Sequence, residues 1–547
     1  MSITNWNNLL SYLQLLGFAI IAVALSFSNF FMSFGMFWLG GSVILQLVSD
    51  AYHKVPFATR WRQFTSNTTA VALTVLLILP LLGLLWTSNM GYALWDIRMK
   101  LPLLVLPLLV SLANPLTQGQ FRALVGLFII AVVVAVMWCL QVYWLGSPEI
   151  DRDVRSISVF ISHVRFSLLI ALALALLVRF AHQTAQGRIL ITLCAVPSLY
   201  FIYIIGSITG FVAITALLVW ALLRYILQLQ SARMRLGGLG ALVVLVAALF
   251  GFLYGSYSRY FDVESQSLTT LESLTPRGEA YDHSLGFPLT ENGNYVMTYV
   301  ARNELYEAWN IRSVVHPDSL DGRGHVLRGT LIRYLASKGL RKDMDGVMAL
   351  SDEDVRAIEF GIPTCVEPKQ IGLQRRLNRI FFEWSNYRAG GDPNGHSVMQ
   401  RLEFWKTGWW IISENSLTGV GTGDVKDAFK SAYAINNSPL DEAYRLRAHN
   451  QYLTMWITYG LFGFCAFLIV TFLPLLSGGA RNPLVVIIVM LVALSFLTED
   501  TLESQAGVMF MAYFYVLFTA KRALSLEELR RPKSKVKPLS LDAQEHI

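Results

Sequence analysis

Runs of apolar residues long enough to cross a bilayer constrain this chain more than any other feature. A membrane-spanning helix needs ~20 predominantly apolar residues. Runs of about that size occupy 9–27, 29–48, 67–86, 122–145, 165–182, 188–205, 208–226, 237–255, 451–475 and 505–520, and shorter ones lie at 101–115 and 483–498. The two short runs are expected to be tilted, broken or partly re-entrant. Only 15% of the 547 residues are charged and 54% are apolar, whereas a soluble domain carries about 25% charge. The expected fold is an all-α polytopic membrane protein with about twelve transmembrane helices.

The cations orient those helices, because cytoplasmic connections carry an excess of Lys and Arg. One alternating set of connections holds Lys54, Arg60 and Arg62, then Arg122, Arg179 and Arg188, Arg224, Arg233 and Arg235, and Arg481. A basic tail at 521–547, with Arg530, Arg531, Lys533, Lys535 and Lys537, joins the same side and suits anionic inner-leaflet lipid. The opposite turns are acidic, with Asp96, Glu149, Asp151, Asp153, Glu499, Asp500 and Glu503. Both termini are therefore expected in the cytoplasm, with the long segment 256–448 facing outward, into periplasm if the cell has two membranes. The net charge of +7 is accounted for by topology, so no nucleic-acid partner is expected.

This reading divides the chain into transmembrane helices 1–9 at 1–255, a large outer loop at 256–448, helices 10–12 at 449–520, and the tail at 521–547. The loop is too long and too patterned for a linker. Ser351-Asp352-Glu353-Asp354 reads as a capping box for a helix ending near Gly361. Thr330 to Lys338 is a second helix stopped by Gly339, Ser397 begins a third, and Glu291-Asn292-Gly293 is a turn. A mostly helical periplasmic subdomain at the outer mouth of the bundle is expected. The four cysteines, three in apolar runs and Cys365 alone in the loop, form neither a disulfide framework nor a metal-ligand spacing.

The densest polar cluster is Arg445-Leu446-Arg447-Ala448-His449-Asn450, where the loop enters a span running to Gly460-Leu461-Phe462-Gly463. Guanidinium forks match phosphate oxygens bidentately, and a neutral imidazole can take a proton from an attacking hydroxyl. The two glycines permit close helix approach. The plainer account of the same residues is an anchored helix end at the interface.

His449-Asn450, nine residues, and then Gly460-x-x-Gly463 resembles the His-[Asn/Ser/Gln] and G-x-x-G pattern of O-antigen ligases and related polymerases. Arg401 to Trp405, followed by Gly419-Val420-Gly421, is similar to the family's arginine helix and glycine-rich turn. The resemblance implies a GT-C-like, metal-independent glycosyltransferase without cofactor. It would move a glycan from an undecaprenyl-diphosphate carrier to lipid A core, or to another glycan or protein acceptor. By the same resemblance His449 is the catalytic residue, and Arg401, Arg447 and Arg165 bind the donor diphosphate. Asn450, Arg445, Trp405 and Asp424 are supporting candidates. One departure stands out: related ligases carry an arginine in a short outer turn where this chain has Gly206-Ser207-Ile208-Thr209-Gly210. Either Arg165 or a loop arginine replaces it, or the donor is held differently.

Alternatives within the family are a polysaccharide polymerase and a protein O-oligosaccharyltransferase. A transporter of lipid-linked sugars is the alternative from another class. It would show charge deep in its spans or broken helices, and the spans read here hold almost no charge. Gly419-Val420-Gly421-Thr422-Gly423-Asp424 lacks the Lys-Ser/Thr ending of a phosphate loop and reads as a turn near the site. Glu499, Asp500 and Glu503 read as solvated carboxylates.

Overall fold

The structure, a computed structural model, describes residues 3–145, 154–261, 271–284, 289–365 and 372–520. The basic tail and the acids Glu149, Asp151 and Asp153 lie outside the described residues. Among the described residues nine helices are long and apolar enough to cross a membrane, from Trp6–Phe27 to Gln451–Leu476. Pro483–Thr498 and Gln505–Thr519 are apolar but shorter. The chain is an all-α multi-pass membrane protein.

The expected span at 101–115 is the inner half of a longer rod. Met90–Lys100 and Pro102–Leu112 are joined through Leu101, whose φ of −50° and ψ of −34° are helical. Pro at the first position of the second helix costs no hydrogen bond that the helix would otherwise make there. The rod therefore starts well before the apolar run does, and it carries Asp96 and Lys100 inward with it, buried at 2% and 3% exposure.

A single apolar core runs through the membrane bundle, from Phe18 and Leu39 to Phe128, Phe166, Phe496 and Phe514. The segment expected to form the outer subdomain has a separate core around Trp309, Leu305, Leu331, Leu335, Val347 and Ile358. Its elements form as their local signals require. Ser351 and Asp354 make a reciprocal capping box at the start of Asp352–Glu359, satisfying two helix-end N–H groups. Leu327–Ser337 ends before Gly339, at φ +69°. Asn292 and Gly293, at φ +49° and +80°, turn the two-residue strands Thr290–Glu291 and Asn294–Tyr295 into an antiparallel hairpin, as an Asn-Gly pair favours.

A third cluster positions the site. Phe404, Ile411, Phe429, Tyr433, Leu453 and Ile457 pack three helices together: the arginine helix Ser397–Glu414, the following Val425–Ile435, and the histidine helix Gln451–Leu476. The histidine helix is not continuous. Gly460 has φ +64° and ψ −170° and breaks it. The glycine-rich turn fills that break with backbone bonds: Val420 N donates to Ile457 O at 2.9 Å, Gly421 N to Thr458 O at 3.0 Å, and Leu461 N to Ser416 O at 2.9 Å. A side chain on Gly419 would lie 2.5 Å from Gly460 N, so the close approach requires glycine on both strands of the contact.

Candidate active site at the outer mouth

His449 stands at φ +45°, a left-handed conformation uncommon outside glycine. Its neighbours hold it there. Asp500 accepts from His449 N at 3.1 Å, Asn450 N at 3.2 Å and Thr454 Oγ1 at 2.6 Å. Trp405 Nε1 donates to Ala448 O at 3.0 Å, and Asn450 caps the helix by accepting from Tyr452 N and Leu453 N. Residues held in sparsely populated backbone regions cost about 1–3 kcal/mol and cluster at functional sites. The imidazole is 33% exposed and inclined against Phe404, with ring centroids 5.7 Å apart. Its Nδ1 makes no hydrogen bond and lies 4.0 Å from Glu499 Oε2.

Glu499 ties three of the sequence candidates to one place. Arg401 Nη2 is 3.7 Å from its carboxylate and donates to Thr498 O at 3.3 Å. Arg165 and Glu499 line the same narrow cleft, together with Ser495 and Thr501. The Arg165 Nε is buried without a hydrogen-bond partner. The cation-free turn at 206–210 packs beside it: Ser167, two residues on from Arg165, donates to Ser207 Oγ at 2.8 Å. His449 and Arg401 thus meet at one carboxylate, and Arg165 lines the same cleft as that carboxylate.

Arg447 occupies a second, deeper cluster. Its Nη1 bonds Tyr92 Oη at 2.9 Å and Glu503 Oε2 at 3.0 Å, while its Nε is buried and unpaired. Glu503 Oε1 also holds Lys100 Nζ at 3.0 Å, and Lys100 meets Asp96 at 2.6 Å. Burial opposes the charge on both Arg447 and Glu503, but their attraction outweighs it. Arg447, supported also by Asp500, is held above the ordinary arginine range. Glu503, flanked by Arg447 and Lys100, is held below the ordinary carboxylate range.

Two sequence expectations are corrected here. The acids of the 499–503 turn are not solvated, because Glu499 and Glu503 side chains are only 14% and 9% exposed and Asp500 is buried. A carboxylate leaves water when cations and N–H groups replace its hydration, and those partners come from helices remote in sequence. The charge-free interior also fails as an argument against transport. Asp96 and Lys100 are buried and the histidine helix is broken at Gly460.

The remaining candidates have structural partners. Asp424 accepts from Ser88 N and Asn89 N, both at 2.7 Å, tying the glycine-rich turn to the start of the Met90–Lys100 helix. Arg445 Nε donates to Leu440 O at 2.8 Å. Sequence reading missed Tyr92 and Lys100 as members of the site. The available signal was the Asp96 and Lys100 pair four residues apart, a spacing that places both on one helical face.

Residues 360–468 match the family model described as O-antigen ligase. The match covers the arginine helix, the glycine-rich turn and His449 through Gly463. No curated protein matches the chain. Residues 360–468 of this multi-pass membrane protein are therefore similar to the O-antigen ligase family.

Proposed function

We propose that the chain moves a glycan from an undecaprenyl-diphosphate carrier to an acceptor hydroxyl, such as one of lipid A core, at the outer face of the bacterial inner membrane. The single observation that carries this reading is the meeting of His449 and Arg401 at Glu499, with Arg165 lining the same cleft, within and beside the segment that matches the O-antigen ligase model.

The carrier diphosphate is already a good leaving group. Catalysis then requires stabilising the negative charge that grows on it while the acceptor hydroxyl is oriented and deprotonated. Arg165, with its unpaired Nε, is the first choice for a diphosphate contact. It stands in for the arginine absent from the 206–210 turn. Arg401 is the second, since the incoming diphosphate would compete with Glu499 for it. Arg447 is the third, its Nη1 being engaged already by Tyr92 and Glu503. His449 accepts the acceptor's proton or steadies the hydroxyl by a hydrogen bond. The arginines are the proposed source of positive charge at the leaving diphosphate. Turnover is expected to persist in excess chelator.

The experiment is surface-glycan analysis of cells lacking the protein. Uncapped lipid A core supports ligation, and glycans shortened to single repeats would move the reading to a polymerase. Naked glycoproteins would move it to a protein glycosyltransferase, and unchanged glycans would end it.

A further inference from the structure

A roomy open groove is separate from the arginines. It measures about 680 Å³ and opens beside the glycine-rich turn, lined by Trp86, Ser88, Asn415, Asp424, Asp427 and Ser431 among others. That volume lies within the ~300–1,000 Å³ typical of small-molecule sites. We infer that this groove binds the acceptor saccharide, a hydroxyl-rich glycan without phosphate at the contact. The inference rests on the transferase reading above.

Four observations carry it. First, Trp86 presents an indole that is 42% exposed at the end of its span. Gly421 makes room for the ring, since a Cβ there would sit 3.1 Å from Trp86 Cδ1. An indole offers a flat apolar face with a polar N–H at its rim, which suits the CH-lined face of a sugar. Second, the polar lining is mixed. Asp427 uses one carboxylate oxygen on Asn89 Nδ2, at 3.1 Å, and its other oxygen is available to accept from hydroxyls. Ser88 and Ser431 add hydroxyls that both donate and accept. Third, two carboxylates in the lining repel a phosphate, so the groove does not duplicate the donor site. Lys426, the cation between them in sequence, lies instead over the Tyr92 ring at 4.7 Å.

Fourth, the groove and the arginine cluster share one helical turn. Asn89 N is bonded to Asp424, Asn89 Oδ1 caps Tyr92 N at 3.1 Å, and Tyr92 Oη is bonded to Arg447. The contacts Asp424–Asn89, Asn89–Tyr92 and Tyr92–Arg447 thereby link the lining of the groove to the deep cluster.

The test uses the full chain in nanodiscs and two soluble probes. One is the core oligosaccharide freed from the host's lipopolysaccharide, and the other is the saccharide freed from the lipid-linked donor. Binding is read by saturation-transfer NMR, and transfer by acceptor titration. Wild type should bind at least one probe. Trp86→Ala and Asp427→Asn should each raise its Kd and the acceptor KM about tenfold, the scale of one lost contact. Trp86→Phe should retain most of the affinity, and Trp409→Ala, whose exposed indole lies outside the lining, should change nothing. No variant should alter donor affinity. Absence of probe binding by wild type, or an unchanged Kd in Trp86→Ala, overturns the groove assignment. If wild type transfers glycan while neither variant moves the acceptor KM, the groove fails and the transferase reading stands. If the probes bind in a Trp86-dependent way but no transfer occurs from lipid-linked donor, the transferase reading fails and the groove stands.

Discussion

Glu503 holds two cations at once, Arg447 at 3.0 Å through Oε2 and Lys100 at 3.0 Å through Oε1. The three come from the loop before the histidine helix, the turn before the last span, and the rod that begins at Met90. Removing one partner of a buried pair leaves an uncompensated charge and costs about 3–5 kcal/mol. With Arg447 at 16% and Glu503 at 9% side-chain exposure, the lower end of that range is expected for Glu503→Gln. Thermal unfolding in detergent should show the loss. Adding Arg447→Met to Glu503→Gln should recover part of it, because Arg447 loses its paired carboxylate in the single variant whereas Lys100 keeps Asp96 at 2.6 Å. A double variant as unstable as the sum of the singles would contradict the pairing.

His449→Ala should abolish glycan transfer while the protein remains folded and inserted. Removal of a general acid–base group costs about 100- to 10,000-fold in rate. Donor binding should survive in this variant and weaken in Arg165→Ala and Arg401→Ala, with Lys a poor replacement because it offers no planar fork. Single-turnover transfer and donor binding, measured on each variant, separate the two roles. Near-normal transfer by His449→Ala would leave the histidine as a helix-end anchor.

Gly460→Ala should destabilise the site without touching any charged group. The residue sits at φ +64° and an added Cβ would collide with Leu417 O. Left-handed backbone at a non-glycine residue costs about 1–3 kcal/mol, and the collision adds to it. Gly240→Ala is the control, with nothing within 4 Å of its Cβ, and should stay within about 0.5 kcal/mol of wild type. Melting temperatures of the two variants, with transfer rates alongside, decide the matter.

The outer subdomain should lose stability in acid through Asp354. Burial pushes this carboxyl up, but bonds from Lys338, Tyr334 and Ser351 outweigh it and hold its pKa well below the usual carboxylate range. A depressed acid contributes stability that is fully present above its unfolded pKa of ~3.9 and is lost as pH falls from there toward the folded value. Hydrogen exchange of the Asp352–Glu359 amides should therefore quicken below about pH 4 in the wild type. Asp354→Asn should exchange faster at neutral pH and show a weaker dependence in that window. Identical profiles for the two proteins would remove Asp354 from the account.

Reporter tags test the orientation read from the cations. A tag between Val55 and Pro56, or after Ile547, should report cytoplasm, and one in an exposed turn of the outer subdomain, such as at Gly324, should report the outside. A tag at Gly324 active only in cytoplasm would invert the topology and place His449 on the wrong face for an outer-leaflet donor.

Much of the polytopic architecture was legible because lipid imposes a one-dimensional rule: a span must be long and apolar wherever it lies in the chain. The capping box at Ser351, the Asn292-Gly293 turn and the stop at Gly339 were legible for a similar reason, each being a local backbone requirement met by neighbours in sequence. His449 and Arg401 were legible as a spaced pattern.

What the sequence by itself determined is therefore the helical membrane class, the local helix signals and a short list of polar candidates. Only the tertiary structure decided which of those candidates meet. Glu499 gathers Arg401 and His449 beside a cleft that Arg165 also lines, and Glu503 gathers Arg447 and Lys100 across a gap of more than 300 residues. No local pattern encodes such a pairing. A carboxylate in a polar turn reads as solvated until packing removes its water, and whether cations replace that water depends on helices the turn meets only after folding. The break at Gly460 belongs with these, since a glycine in an apolar run reads as a close-packing position. It became a docking point because the backbone of residues 416–421 takes up the hydrogen bonds that the broken helix leaves open.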